Sequence, residues 1–169
     1  MRKNTDKALL GFGLMWREDE FLLPVEKELK EIFSDFVISS DVFEPPFSSY
    51  YFREFGSPLK KKFVITQSLI NKPDIVGIKH KTVSLEDKYR IDGKRTVNID
   101  PFYIDLDQVI VSTNKFRGNR IYAGEGVFLE LELFYHHGSF QPFIWTYRDY
   151  QEQIPFFNRV KSKIRGYFV

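Results

Sequence analysis

Polar side chains alternate with apolar ones between residues 95 and 103, within a stretch that otherwise has the composition of a β-strand. Side chains two positions apart on a strand share a face, so Asn98 and Asp100 should lie side by side. Such a row is costly in a core and suits a binding cleft. Arg95 could clamp an anion, Asn98 could orient a ligand, and Asp100 could act as a base or metal ligand. Alternatively, Asp100-Pro101 begins a turn and Asn98 bonds nearby backbone.

A second polar group surrounds a tight turn at Gly118. Lys115 and Arg120 flank this turn and could hold phosphate or carboxylate groups, whereas Arg117 is equally well explained as a solvated hairpin tip. Arg120 alternates with Tyr122 along a strand, so both could face one ligand. The sequence therefore predicts a cleft that binds an anionic small molecule through six side chains: Arg95, Asn98, Asp100, Lys115, Arg120 and Tyr122.

Two glutamates on one predicted strand are further candidates for chemistry. Glu130 and Glu132 share a face, opposite a row of leucines, and could serve acid–base or metal chemistry. An exposed sheet face gives the same pattern and is the favoured interpretation. The candidate general bases are thus Asp100 and Glu130. Without a complete catalytic set, the sequence leaves open whether the protein is an enzyme.

The adjacent histidines His136 and His137 invite a metal-binding interpretation. Neighbouring residues on a strand point to opposite faces, and Gly138-Ser139 marks a turn, so we expect the two rings to diverge. The chain has no cysteine, which excludes disulfides, thiolate nucleophiles and cysteine-based zinc sites. We predict no metal site, and the sequence leaves the cofactor unknown.

The elements expected to position these residues follow from hydrophobic periodicity. A first helix is predicted along the apolar stripe from Leu22 to Phe36, with Pro24 in its first turn. A second helix should begin at Pro73. A third, basic helix is predicted at the C-terminus, with Phe157, Val160, Ile164 and Phe168 as its apolar stripe. Residues 47–59 are predicted to form an aromatic loop or short helix. Strands are predicted over 8–16, 36–43, 61–69, 95–100, 108–113, 120–123, 127–135 and 140–145.

This order of elements predicts an α+β fold over residues 1–169 as a single domain. The sheet should be mostly antiparallel, with a ferredoxin-like (split βαβ) N-terminal half, a β-meander extension and a C-terminal helix. The 25 basic and 23 acidic residues leave a net charge of +2, too small to indicate nucleic acid or a membrane as partner. The short N-terminal apolar run and the absence of cysteine favour a cytoplasmic protein without a membrane span. The oligomeric state stays open.

Five motifs, in order along the chain, resemble one bacterial and archaeal family, domain-of-unknown-function family 4416 (DUF4416). They are Tyr50-Tyr51-x-x-Glu54-x-Gly56, Ile78-Lys79-x-x-Thr82-x-x-Leu85-Glu86, Arg95-x-Val97-Asn98-Ile99-Asp100-Pro101-x-Tyr103, Arg120-Ile121-Tyr122-x-Gly124-x-Gly126 and Trp145-Thr146-Tyr147-x-Asp149-Tyr150. The resemblance implies a fold and a family but no activity. This chain departs from the family pattern at Val83, Phe102, Asn119 and Arg148.

Two functions from different classes fit these observations. The leading hypothesis is binding of an anionic small molecule in the polar cleft, a nucleotide-like compound being one candidate. The alternative is a non-enzymatic RNA-binding or protein-assembly module, because aromatic rings near basic residues can stack on exposed bases. The side chains that would serve it are Tyr50, Tyr51, Trp145, Tyr147 and Tyr150, together with the basic final helix.

Overall fold

An eight-stranded sheet runs through this computed structural model, which describes residues 1–46, 48–56 and 58–169. The strands are β1 (Lys7–Trp16), β2 (Phe36–Ser39), β3 (Lys60–Asn71), β4 (Val97–Ile104), β5 (Gln108–Thr113), β6 (Ile121–Gly124), β7 (Val127–His136) and β8 (Ser139–Pro142). Their order is β2-β3-β1-β4-β5-β7-β6, with β8 paired to β7. The pairs between these strands are antiparallel. The predicted α+β fold with a mostly antiparallel sheet is therefore confirmed.

The helices lie on both faces of this sheet. They are α1 (Asp19–Ile32), α2 (Phe52–Phe55), α3 (Ile75–Lys88), α4 (Arg148–Glu152) and α5 (Ile154–Ile164), with 3₁₀ turns at Ser48–Tyr51, Lys72–Asp74 and Arg165–Tyr167. Apolar residues of α1 and α3 pack on one face and those of α4 and α5 on the other. None of the helices within the described ranges is long and apolar enough to cross a bilayer.

Strand β1 lies at the centre of both cores. Its even-numbered residues, such as Leu10 and Phe12, pack towards α1 and α3, and Leu9 packs towards α5. On the Leu9 face, Gly11 leaves room for an aromatic ring of β4. A Cβ placed there would lie 2.4 Å from Cζ of Phe102. Glycine is required at this position because the ring of Phe102 occupies the space that a side chain would need.

Several predicted boundaries differ from the structure. Pro24 lies inside α1 and not in its first turn, because the helix already begins at Asp19. The last predicted strand ends at Pro142, consistent with the inability of proline to donate to a ladder. The predicted segment 47–59 contains a 3₁₀ turn and α2, while its residues 47 and 57 lie outside the described ranges.

The two halves of the sheet have different topologies. In the N-terminal half, β3 lies between β1 and β2, and the helices α1 and α3 follow β1 and β3. The ferredoxin-like description of this half stays a prediction. In the C-terminal half, β6 and β8 both lie along the outer edge of β7, so β6 does not separate β5 from β7. This order departs from a simple meander.

Candidate functional site

A gap in the sheet between β4 and β5 creates a cleft. The two strands pair only where residues Phe102–Ile104 face Val109–Val111, although β4 begins five residues earlier, at Val97. At the point of divergence the hydroxyl of Ser112 donates to the carbonyl of Pro101, at 2.8 Å. The N-terminal part of β4 therefore pairs with β1 alone, and its outer edge is open to side chains from other elements.

The cleft has a volume of about 700 Å³ and is lined mainly by charged and aromatic side chains. Contributions come from β3, β4, α3, the 3₁₀ turn with α2, the loop after β5 and the start of α4. The lining side chains include Tyr50, Glu54, Lys61, Lys79, Glu86, Arg95, Asn98, Asp100, Lys115, Phe116, Arg117, Arg120, Tyr147 and Asp149.

Arg95 is the centre of a hydrogen-bonded row on one wall of the cleft. Its Nε and Nη2 donate to the carboxylate of Glu54, the shortest contact being 2.9 Å, and its Nη1 donates to Oδ1 of Asn98 at 2.7 Å. Asn98 in turn donates from Nδ2 to Oδ2 of Asp100, at 2.9 Å. Burial works to raise the pKa of Glu54, but Arg95 outweighs it and the pKa is lowered. The Arg95 guanidinium thus orients neighbouring side chains.

Glu86 of α3 occupies the open edge of β4. The backbone N–H of Ile99 donates to its Oε2 at 2.7 Å, and Nη1 of Arg95 lies 3.5 Å from the same oxygen. This contact replaces the missing strand partner of Ile99. Burial raises the pKa of Glu86 to about 7, and Asp100 adds repulsion, although the Ile99 N–H and Lys79 oppose the rise. Glu86 can therefore gain or lose a proton near neutral pH.

Lys79 is another buried residue of α3, and its ammonium group has few partners. Its side chain is 8% exposed, and its nearest carboxylate oxygen, Oδ1 of Asp100, lies 3.8 Å from Nζ. Within the described chain, Nζ forms no hydrogen bond. A buried ammonium normally satisfies its three N–H groups, since leaving them unpaired is costly.

Arg120 and Glu130 form a buried pair beneath the opposite wall. Nη2 of Arg120 lies 3.5 Å from Oε2 of Glu130 and donates to the hydroxyl of Tyr147 at 2.6 Å, while Nη1 donates to the carbonyl of Lys115 at 2.8 Å. Asn119 donates to the other oxygen of Glu130. Arg120 therefore holds the loop after β5 against α4.

A polar layer lies behind this wall. Lys61 forms a buried ion pair with Asp149; burial lowers the pKa of Lys61, but Asp149 outweighs it and the net change is a rise. Glu132 is fully buried, and neither of its carboxylate oxygens has a hydrogen bond that meets the usual geometry. Burial, with repulsion from Glu130, raises the pKa of Glu132 to about 9. Glu132 is therefore neutral at physiological pH.

The structure places five of the six predicted ligand-binding residues around this cleft: Arg95, Asn98, Asp100, Lys115 and Arg120. Tyr122 lies elsewhere. Its ring is exposed, packs against Phe128 at 5.1 Å, and its hydroxyl accepts the N–H of Gly126. Of the two candidate bases, Asp100 lines the cleft, whereas Glu130 is fully buried behind it.

Two expectations about β7 and its turn are wrong. Glu130 and Glu132 do not lie on an exposed face, because both are fully buried and α4 packs against this strand. The rings of His136 and His137 do not diverge, since their centroids are 3.8 Å apart. His137 has a φ of 49°, so it belongs to the turn and the strand alternation has already ended. Among the described residues, no three His, Asp or Glu side chains are grouped to hold a metal ion.

Sequence reasoning missed the contribution of α3 to the cleft. Lys79 and Glu86 lie seven positions apart, two helical turns, on a face beside the apolar stripe. That spacing is the signal that could have revealed them, although a solvated helix face has the same pattern. Lys61 and Asp149 come from distant parts of the chain, and their pairing has no local signal.

Aromatic rings border the mouth of the cleft. Tyr50 and Phe116 line it and remain 74% and 72% exposed. Tyr51 lies deeper, beside Tyr50, with ring centroids 5.0 Å apart, and burial raises its pKa to about 12. The arrangement offers ring faces near the entrance and charged groups further inside.

Comparison with known proteins identifies a family but no activity. The protein-family model described as "Domain of unknown function (DUF4416)" matches residues 6–164. The searches of curated proteins and of solved structures found no match. Because the matched region covers nearly the whole sequence of 169 residues, the chain belongs to the DUF4416 family.

Proposed function

We propose that the protein binds a small anionic molecule in the cleft between β4 and β5. The observation that carries this proposal is the Lys79 ammonium group, which is 8% exposed and has no hydrogen-bond partner within the described chain. An anionic oxygen of a ligand would supply the missing partner. Charge-assisted hydrogen bonds of this kind are short and about twice as strong as neutral ones.

The charge of the cleft supports an anionic ligand. Eight basic and five acidic residues of the described ranges line it, so its formal charge is positive. The basic residues differ in availability, because Arg95 and Arg120 are engaged by protein groups. Lys115 and Arg117 at the rim are exposed, and their side-chain nitrogens form no ion pair within the described ranges. We therefore assign contact with the anion to Lys79 and attraction towards the cleft to the two rim residues.

The exposed rings at the entrance favour a ligand that combines an anionic group with a planar or sugar ring. Tyr50 and Phe116 could stack on such a ring while the anion reaches Lys79. A cleft of about 700 Å³ is within the range of small-molecule sites. A nucleotide-like compound combines these features, and a sugar phosphate is the smaller alternative.

Fewer observations support the RNA-binding alternative. Tyr150 is buried, and Trp145 stacks on Phe143 and donates its indole N–H to the carbonyl of Leu131. On the final helix, Lys161 donates to the carbonyl of Leu106 and lies over the ring of Tyr135. These groups already have protein partners, so they are less available for bases or phosphates.

A thermal-shift comparison of two lysine variants tests the proposal. Inorganic phosphate, ribose 5-phosphate and AMP are added separately to the wild type, Lys79→Met and Lys81→Met. Lys81 is an exposed residue on the same helix. A bound ligand raises stability according to its concentration relative to Kd. We expect at least one probe to stabilise the wild type and Lys81→Met, with the effect lost in Lys79→Met.

Two results would contradict the proposal. One is an equal ligand-induced shift in Lys79→Met, which would place binding elsewhere. The other is no shift with any probe, combined with tight binding of single-stranded RNA whose affinity falls steeply with salt, which would favour the RNA-binding alternative.

A further inference from the structure

We propose that Glu86 transfers a proton to and from the bound ligand, so that the cleft catalyses enolisation of an anionic carbonyl compound. This inference rests on the proposed function, because Lys79 would hold the substrate. The substrate class is an anion with a C–H bond next to a carbonyl group, such as a 2-oxo acid or a phosphorylated ketone.

The first support is the way in which Glu86 is held. Its Oε2 accepts the Ile99 N–H at 2.7 Å and lies 3.5 Å from Arg95, which fixes the carboxylate on the edge of β4. Its Oε1 forms no hydrogen bond within the described chain, although the side chain is only 6% exposed and lines the cleft. One oxygen is thus anchored and the other is left for a ligand, the arrangement that a positioned base needs.

The other acidic groups of the cleft are less suitable. Both oxygens of Glu54 are occupied by Arg95, and Asp149 is paired with Lys61. Asp87 is exposed and paired with Arg90. Asp100 accepts from Asn98, faces Lys79 and has a side chain that is 35% exposed. A water-exposed, bonded carboxylate is a weaker base for a carbon acid than a desolvated one.

The second support is the charge around Glu86. Lys79 on its own helix and Arg95 beside it are positive, while Asp100 on β4 is negative. Burial raises the pKa of Glu86 to about 7, the region in which a group can both accept and return a proton at neutral pH. In a 2-oxo acid the carbonyl oxygen lies beside the carboxylate, so the Lys79 ammonium that holds the anion can also stabilise the negative charge that develops on the carbonyl oxygen.

The proton transfer between the substrate carbon and Glu86 needs no further reactant. Oε1 of Glu86 removes the proton from the carbon next to the carbonyl, and the C–H electron pair forms the C=C bond of the enolate while the carbonyl π pair moves to oxygen. Lys79 stabilises that oxygen by hydrogen bonding. Return of the proton from Glu86 regenerates the carbonyl compound. In D₂O the carboxylic acid exchanges with solvent, so deuterium enters the carbon position.

Deuterium exchange provides the test. Pyruvate, 2-oxoglutarate and dihydroxyacetone phosphate are incubated in D₂O near neutral pD with the wild type, Glu86→Gln or Lys81→Met, and loss of the C–H signal is followed by ¹H NMR. We expect exchange above the protein-free rate for at least one probe. Glu86→Gln should lower that rate by about a hundredfold or more, as loss of a general base does, whereas Lys81→Met should not change it.

A parallel binding measurement separates this inference from the proposed function. We expect Glu86→Gln to keep the thermal shift caused by the same probe, because Lys79 is intact. Exchange at the protein-free rate for all three probes, or equal exchange by wild type and Glu86→Gln, would overturn the catalytic role. If ligand-induced shifts that depend on Lys79 persist in that case, the binding function stands without it.

Discussion

Replacing Glu132 with glutamine should make the protein progressively more stable than the wild type as the pH rises. Glu132 is fully buried, lacks hydrogen bonds of normal geometry and lies near Glu130. Its pKa rises from an ordinary 4.5 to about 9 in the folded protein. A raised pKa means that folding favours the protonated form, so the stability from this group is complete below pH 4.5 and is lost as the pH rises towards 9.

The magnitude follows from linkage. Over the interval in which Glu132 is ionised only in the unfolded chain, each pH unit lowers the free energy of unfolding by about 1.4 kcal/mol. Between pH 4.5 and pH 7 the wild type should therefore lose about 3 kcal/mol that the glutamine variant keeps. For a chain of this length, 3 kcal/mol corresponds to a change in Tm of about 6 to 12 °C.

Urea denaturation of both proteins at several pH values measures this difference. Packing differences between the two side chains shift the whole curve by a constant amount, so the pH dependence isolates the ionisation. Glu44→Gln is the matched control, because it makes the same chemical change at an exposed position. A difference between Glu132→Gln and the wild type that is constant, or falls with pH, would refute the reasoning.

Three further predictions test other parts of the structure. Lys61→Met should destabilise the fold by about 3–5 kcal/mol in chemical denaturation, because it leaves Asp149 buried and unpaired, and adding Asp149→Asn should recover most of the loss. Gly77→Ala should stabilise by about 1 kcal/mol in the same assay, since the helical site is open, whereas Gly11→Ala should cost about 1–3 kcal/mol through overpacking. Binding of selenate, whose charge is constant in this pH range, should strengthen in calorimetry as the pH falls through about 7, because protonation of Glu86 removes negative charge from the cleft. Glu86→Gln should abolish this dependence. An equal loss of stability in the Lys61 single and double variants would contradict the first prediction. Equal effects of the two glycine replacements would contradict the second, and pH-independent binding by the wild type would contradict the third.

The main elements of the fold could be predicted because they follow local periodicity. Alternating residues marked β4, and the apolar stripes marked α3 and α5. The same alternation placed Asn98 and Asp100 on one face, where the structure has them bonded to each other. Local periodicity carries no information about the register between strands, so the point at which the β4–β5 pairing ends could not be predicted.

The missed parts of the site depend on contacts between distant segments. Lys79 and Glu86 resemble a solvated helix face until the gap in the sheet gives them a cleft to line. Glu130 and Glu132 alternate with leucines as an exposed face would, but α4, whose sequence is far along the chain, packs against β7. Alternation alone groups Tyr122 with Arg120, whereas in the structure the ring of Tyr122 is exposed and packs on Phe128.

Anomalous diffraction from crystals soaked in selenate is the most direct test of anion binding at Lys79. Selenate is a tetrahedral dianion whose selenium atom can be located independently of the protein. We expect a peak inside the cleft, with a selenate oxygen about 2.8 Å from Nζ of Lys79, and its loss in Lys79→Met. Selenate found only at the exposed rim or elsewhere on the surface, with the cleft empty, would contradict the central claim.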